Sequence, residues 1–416
     1  MSTPIPMPEP VPVRERLVAL DVVRGIALLG ILLMNMEAFV GPMNIALEGL
    51  DPSLRGADRV VDALILILVQ GKFYALFSLL FGMGFAVMLQ RAGDAFTRVY
   101  VRRTLALLVI GLAHMLLVWS GDILTSYAVV ALLMLAVFTR VPVRHLPWLG
   151  VAIYLLPSLL TLALGAVGSL AQMSPEGARA MAEAMAPAGT LWEQQTQMQR
   201  EAYGAGSYAQ ATVQRLRDAA TMLTYLMIYG PMILGLFVLG SWFVRSGAIA
   251  DPAAHARTFA RLRLVALPVG LAMVVTAFVL MPTLDIARID MTMGIATLLS
   301  MGGALLMALG YLAWILRGLS APSLRPALLR VAPAGRMALT NYLLQSVICT
   351  LVFYGYGLGW YEALPRAWQP VFVVALWLLQ VAWSTWWLRR HAFGPAEWAW
   401  RGLTYGRLPA LRLRPA

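Results

Sequence analysis

The chain has 416 residues, 60% of them hydrophobic and only 12% charged, with a mean hydropathy of +0.74. A soluble domain commits about a quarter of its residues to charge, so soluble folds, disordered chains and secreted disulfide scaffolds are excluded and a lipid setting is implied. The formal charge of +12 does not mark a nucleic-acid partner, because the basic residues sit at the ends of apolar runs rather than in one patch, as an orientation code would place them.

In chain order, residues 1–16 form a proline-rich leader expected to be disordered. Ten apolar segments follow that are long enough to cross about 30 Å of hydrocarbon: 17–37, 60–89, 103–119, 122–139, 146–170, 221–243, 263–284, 291–316, 335–357 and 368–388. The first is not a cleaved signal, since Asp21 and Arg24 lie in its first turns and no small-residue cleavage site follows. The segment 60–89 is too long for one straight crossing and is interrupted at Gln70-Gly71-Lys72. A broken or tilted single crossing and a helical hairpin are the alternatives, and the single crossing agrees better with the arginine bias. Arginines concentrate in the loops near 89–103, 139–146, 243–263 and 316–335 and in the tail, which places both termini in the cytoplasm.

The expected fold is therefore all-α: a polytopic membrane protein, a bundle of about ten transmembrane helices. An N-terminal half (17–170) and a C-terminal half (221–388) flank an outer loop (171–220), and an interfacial cytoplasmic tail (389–416) follows. The outer loop reads as short amphipathic helices. Ser174-Pro175 is an N-cap followed by proline at the first helical position, and Ser207 with Gln210 has capping-box spacing. Such a loop is either a surface cap or a lid over an outward-facing site.

Ionisable groups inside spans are the candidates for chemistry. Asp21, Arg24 and Asn35 share one face of the first helix, since steps of three and eleven residues leave offsets of about −60° and +20°. Arg24 either neutralises Asp21 near the interface or meets an anion entering from the cytoplasm. Lys72, the single lysine, sits at the helix break and needs an anionic partner; Asp122 and a substrate phosphate or carboxylate both remain open. His114 lies near the outer end of the third span, just before the tight turn Ser120-Gly121-Asp122. A histidine oriented by a carboxylate is the composition of a general base, and an interhelical hydrogen bond accounts for it equally. Asn341, Gln345 and Cys349 recur every four residues on the ninth span, with Arg336 at its cytoplasmic entrance; interhelical hydrogen bonding is the default reading of such amides. One cysteine cannot form an internal disulfide, Cys349 reads as packing, and four scattered histidines offer no metal-ligand cluster, so no metal is expected.

These residues fall into motifs that resemble a known family. They are Leu20-Asp21-Val22-Val23-Arg24-Gly25-Ile26-Ala27 with Asn35, Gly71-Lys72-Phe73 running to Leu80-Phe81-Gly82-Met83-Gly84, and His114 with Gly121-Asp122-Ile123-Leu124. Later come Tyr203, Gly206-Ser207-Tyr208 and Arg215; Gly335-Arg336-Met337, Thr340-Asn341-Tyr342 and Gln345-Ser346; then Gly394-Pro395, Glu397-Trp398, Trp400-Arg401 and Thr404-Tyr405. Over nearly its whole length the chain looks like the YeiB-like family, bacterial membrane proteins carrying the domain of unknown function numbered 418, which implies a multi-pass protein of the bacterial cytoplasmic (inner) membrane.

The first motif is also similar to the opening helix of transmembrane acyltransferases of the type-three and heparan-α-glucosaminide N-acetyltransferase kind. Those enzymes take an acyl group from cytoplasmic coenzyme A and deliver it across the membrane. This chain departs from the type-three pattern at Asn35, where those members carry a histidine thought to be catalytic; an amide cannot act as a base. The resemblance implies acyl-CoA or acetyl-CoA as donor. In that expectation Arg24, Lys72 and Arg336 hold the donor, with Asp21 and Gln345 in the same binding set. His114, oriented by Asp122, is the base, and Asn35 or Asn341 steadies the oxyanion. The alternative is a transporter or lipid-binding protein for an anionic solute or headgroup, and a catalytically silent scaffold is a third reading. Membrane lipids and a small-molecule or lipid substrate are the expected partners; a homo-oligomer is compatible with the sequence, which sets no oligomeric state.

Overall fold

The computed structural model describes residues 18–285 and 288–413; the expected leader at 1–16 lies outside the described residues. Apart from two isolated bridges, regular structure among them is helical. The first half comprises α1 (Val18–Val40), α2 (Met43–Glu48), α3 (Gly56–Leu68), α4 (Lys72–Arg91), α5 (Phe96–Leu117), α6 (Leu124–Phe138) and α7 (Leu146–Ala171). Then come α8 (Pro175–Gln199), α9 (Tyr208–Arg245), α10 (Ala256–Arg261), α11 (Leu267–Leu280) and α12 (Met291–Ser320). The chain ends with α13 (Arg325–Leu329), α14 (Ala332–Arg336), α15 (Ala338–Phe353), α16 (Gln369–Leu388) and α17 (Pro395–Tyr405).

Eight helices among the described residues are long and apolar enough to cross a membrane. A ninth span arises if α13–α14 and α15, bent by 76° at their junction, act as one. The predicted span 335–357 is α15, whose 16 residues reach about 24 Å and make a span only together with α13–α14, across a sharp corner. The predicted span 122–139 is α6, whose 15 residues reach only about 22 Å. It cannot cross alone, so the turn before it is drawn into the bundle. The chain is an all-α polytopic membrane protein.

The ambiguous segment is a single crossing: Gly56–Arg91 runs on as one 36-residue span, with no hairpin. The break between α3 and α4 is made by Gly71, whose φ of +78° is open to glycine and strained for other residues. Breaking the helix frees carbonyls, and Lys72 answers one of them, its Nζ donating to the Leu66 carbonyl at 2.9 Å. Tyr311 Oη donates to another, that of Leu68, at 2.9 Å.

The outer loop differs from the expected short helices. It is one 25-residue helix, α8, a π-helical turn at Arg200–Ala205, and then the first turns of α9. The two expected caps are present: Ser174 Oγ accepts from Gly177 N–H, and Ser207 forms a reciprocal capping box with Gln210. The predicted span 221–243 proves to be the inner part of a 38-residue helix. The polar start of α9 misled the boundary because its polar side faces inward, with Gln214, Arg215 and Asp218 buried.

α1 lies at the centre, against α2, α4, α14, α15 and α16. Its approach to α14 is so close that a methyl at Gly25 would overlap the Val331 carbonyl oxygen, and one at Gly335 the Asp21 carbonyl oxygen. Small residues permit this backbone-to-backbone contact. Around it, α4 packs on α9, α7 on α9 and α12, and α11 on α12, enclosing a core that includes Leu76, Leu79, Met83, Leu236 and Leu312.

Candidate active site

A cavity of about 830 Å³ opens at the arginine-rich end of the bundle, between α1, α4, α5, α15 and α17. Its mouth carries five guanidinium groups, from Arg24, Arg91, Arg103, Arg336 and Arg401, against two carboxylates, from Asp21 and Glu397. The formal balance is strongly positive. Neither carboxylate stands loose. Asp21 Oδ1 accepts from Arg24 Nη1 at 3.0 Å. Glu397 caps the start of α15, accepting from the N–H groups of Leu339 and Thr340 at 2.7 and 3.1 Å and from Thr340 Oγ1 at 2.6 Å. Burial pushes the Glu397 carboxyl above its ordinary value of 4.5. An aromatic plate completes the mouth: the Arg103 guanidinium lies 3.7 Å from the centre of the Trp400 ring, and Trp400 Nε1 donates to the Arg103 carbonyl at 2.8 Å. A ring that fixes a guanidinium in this way leaves its edge free for an anion.

Inward, the wall turns apolar and aromatic through Phe77, Phe81, Leu124, Tyr127 and Tyr342. The inner end reaches the turn that α6 is too short to carry to the surface. Tyr342 Oη accepts from Ile123 N–H at 3.3 Å, and its ring centre is 5.3 Å from that of His114. Behind Tyr342, His114 Nδ1 and Asp122 Oδ1 are 2.8 Å apart. The other Asp122 oxygen accepts from Thr125 N–H at 2.7 Å. Both partners are buried, and His114 Nε2 has no hydrogen-bond partner. A carboxylate accepting from Nδ1–H leaves the lone pair on Nε2, the tautomer a general base needs.

The turn is held from its other side. Arg215, fully buried, donates to the carbonyls of Leu116 and Val118 at 3.1 and 3.0 Å, and Tyr208 Oη donates to that of Leu117 at 2.7 Å. These are carbonyls that the end of α5 leaves without helical partners. Ser120, inside the turn, bonds to Asp218, which also accepts from Tyr203, Gln199 and Gln214.

The sequence-derived site residues separate into three groups. Asp21, Arg24 and Arg336 line the cavity, whereas His114 and Asp122 pair with each other behind Tyr342 and do not line it. Lys72 is not among the lining residues; it caps Leu66 inside its own span and has no carboxylate partner in Asp122. Asn341 and Gln345 also lie outside the lining. Asn341 Nδ2 donates to Ser384 Oγ at 2.9 Å and to the Ala334 carbonyl, and Gln345 Nε2 donates to Gln380 Oε1 at 2.8 Å, so both join α15 to α16. Asn35 is part-buried and does not line the cavity. Cys349 is fully buried among apolar neighbours.

The sequence alone did not mark Arg91, Arg103 and Arg401, which read as orientation signals, or Trp400, which fell in the interfacial tail, as parts of one site. A signal was present in α5: Arg103 and His114 are eleven residues apart, about 20° off one face and about 16 Å along the axis.

Residues 243–407 match the family described as a protein of unknown function (DUF418). Uncharacterized protein YxaH of Bacillus subtilis strain 168 is 31% identical over 415 residues, an alignment covering 95% of this chain and 96% of that protein. Uncharacterized protein YeiB of Escherichia coli K12 is 33% identical over 399 residues, covering 94% of this chain and 96% of that protein. No solved structure matches the chain. Sharing this identity over almost its full length with both relatives, the chain belongs to the YeiB-like DUF418 family.

Proposed function

We propose that the protein is an acyltransferase of the bacterial cytoplasmic membrane that moves an acyl group from acyl-CoA to an acceptor hydroxyl or amine. The observation that carries this reading is the unpartnered, buried Nε2 of a histidine whose Nδ1 is held by Asp122, placed behind the inner end of an arginine-mouthed cavity.

Arg24, Arg103, Arg336 and Arg401 supply bidentate donors for the donor's phosphates, and Trp400 supplies a face for its adenine. The apolar throat between Phe77, Phe81 and Tyr127 takes the uncharged arm. The axial distance from Arg103 to His114, about 16 Å, is one that an extended pantetheine arm bridges. At the inner end, once the Tyr342 ring turns aside to open His114 to the cavity, His114 Nε2 removes the acceptor's proton as its oxygen or nitrogen attacks the thioester carbonyl. The new C–O or C–N bond forms as the C–S bond breaks, and the thiolate leaves with the proton returned by His114. Asp122 keeps the imidazole in one tautomer and stabilises it when charged. Sulfur, acyl carbon and proton all balance without another reactant.

Purified protein should be stabilised against heat by acetyl-CoA or palmitoyl-CoA, and radiolabel from one of them should pass into native membranes. His114→Ala should retain the stabilisation and lose the transfer. Stabilisation with no transfer by the wild type, or undiminished transfer by His114→Ala, overturns the reading. Uptake of an anionic solute without acyl-CoA binding points to transport instead.

A further inference from the structure

A second groove, of about 630 Å³, lies on another side of the arginine-rich end, between α13–α14 and α16. Its geometry follows from the 76° corner before α15. α16 is long and apolar enough to cross the membrane and ends at Leu388, and α13–α14, turned 76° from α15 and packed on α16 through α14, lies beside that end at the membrane boundary. Leu329, Arg330 and Pro333 turn to the groove on that segment. Val381 and Thr385 do so from α16 and Arg389 from just past its end, at the four-residue spacing of one helix face, with Trp386 beside them. One wall therefore lies at headgroup depth, while the other descends along a helix toward the hydrocarbon.

The charges in this groove have no protein answer. Neither the Arg330 nor the Arg389 guanidinium has a hydrogen bond or ion pair with another group among the described residues, and no carboxylate lines the groove. Arg330 and Arg389 are both exposed, and Trp386 is 45% exposed. A tryptophan with arginines at the end of an apolar span is the composition of a membrane–water boundary. Paired guanidiniums there complement a phosphodiester, which each can bind with two parallel donors.

We propose that this groove is a binding site for one anionic glycerophospholipid, its phosphate between Arg330 and Arg389 and its acyl chains along Leu329 and Val381. The site is separate from the acyl-transfer cavity and does not depend on that reading. It does share a structural segment with it, since Arg330 lies just before α14, which carries Arg336 into the cavity wall.

Native mass spectrometry of the full chain in neutral detergent tests this with phosphatidylglycerol, phosphatidylcholine and soluble glycerol phosphate as probes. The wild type should retain phosphatidylglycerol selectively. Arg330→Gln with Arg389→Gln should weaken that binding roughly thirty-fold, from an about fivefold contribution of each arginine near an anionic surface. Arg330→Lys with Arg389→Lys should keep most of it, and Arg144→Gln, outside the groove, should change nothing. Equal retention of phosphatidylcholine, unchanged binding in the double glutamine variant, or displacement of the lipid by glycerol phosphate at similar concentration overturns the proposal. Should the glutamine variant fail to fold, a wild-type phosphatidylglycerol affinity that does not fall with added salt overturns it equally.

Discussion

Two ends of this bundle use arginine in opposite ways. At the outer end, Arg366 is 4% exposed and saturated by the protein: its Nε donates to Asp62 at 2.8 Å, Nη2 to Glu37 at 3.0 Å and Nη1 to Gln369 at 2.6 Å. Arg215 is likewise spent on backbone carbonyls. At the other end, five guanidiniums face a cavity that offers two carboxylates, and Glu397 is engaged by α15. A buried charge has to be compensated. The outer end surrounds one guanidinium with carboxylates and an amide and is a fastening; the other end gathers five guanidiniums and two carboxylates around an open cavity, a net positive lining that suits an anionic ligand.

The comparison breaks most visibly at His114. His114→Ala should reduce label transfer from acetyl-CoA by about a thousandfold, within the range for a lost general base, while heat stabilisation by the donor persists. Arg366→Ala should do the reverse. It strands Asp62 and Glu37 and should cost about 3–5 kcal/mol of stability, read as a lower unfolding temperature in detergent, with donor affinity unchanged in whatever protein remains folded. Lys72→Met sharpens the distinction within a single crossing. Loss of the Leu66 cap should cost about 1–3 kcal/mol with no loss of donor affinity; weaker donor binding at unchanged stability would return Lys72 to the site. Arg24→Gln should weaken acetyl-CoA binding about tenfold, the scale of one charged hydrogen bond, as measured by titrating the thermal shift.

The smallest effect concerns Glu397. Its folded carboxyl is raised above 4.5 by burial, so the stability it contributes is fully present below that pH and is lost as pH rises through the raised value. Glu397→Gln removes the titrating group. Its unfolding temperature should therefore fall less than that of the wild type as pH increases from 4.5 upward, and parallel profiles would exclude the effect.

Eight of the ten expected crossings were legible because hydrocarbon imposes a length and a composition that no other setting produces; 122–139 and 335–357 have the composition but not the length. The break at Gln70-Gly71-Lys72 was legible for the same reason, as an interruption in an otherwise apolar run. The caps at Ser174 and Ser207 were local chemistry and could be read locally. The inward polar face of α9 was hidden, since Gln214, Arg215 and Asp218 look like loop residues until α5 is known to end against them. The site was half visible. His114 and Asp122 are eight residues apart, close enough for a turn to bring together, whereas Arg103, Arg336 and Arg401 meet only through the packing of α5, α14 and α17. Arginine at a helix end has two readings, orientation and binding, and sequence cannot rank them. Lys72 illustrates the converse: its acceptor is a backbone carbonyl, and carbonyls have no letter in the sequence.

The interlocked backbones of α1 and α14 have a mechanical consequence. Gly25 and Gly335 each adjoin a cavity arginine in the chain, Arg24 and Arg336, and with no side chains between the two helices neither can slide without carrying the other. The backbones that carry the two arginines are therefore set like the jaws of a caliper, their separation fixed by main chain, while the side chains reach from those fixed points. Alanine at either glycine would widen the jaws without touching the charges, turning a gauge for one anion into a loose fit for many.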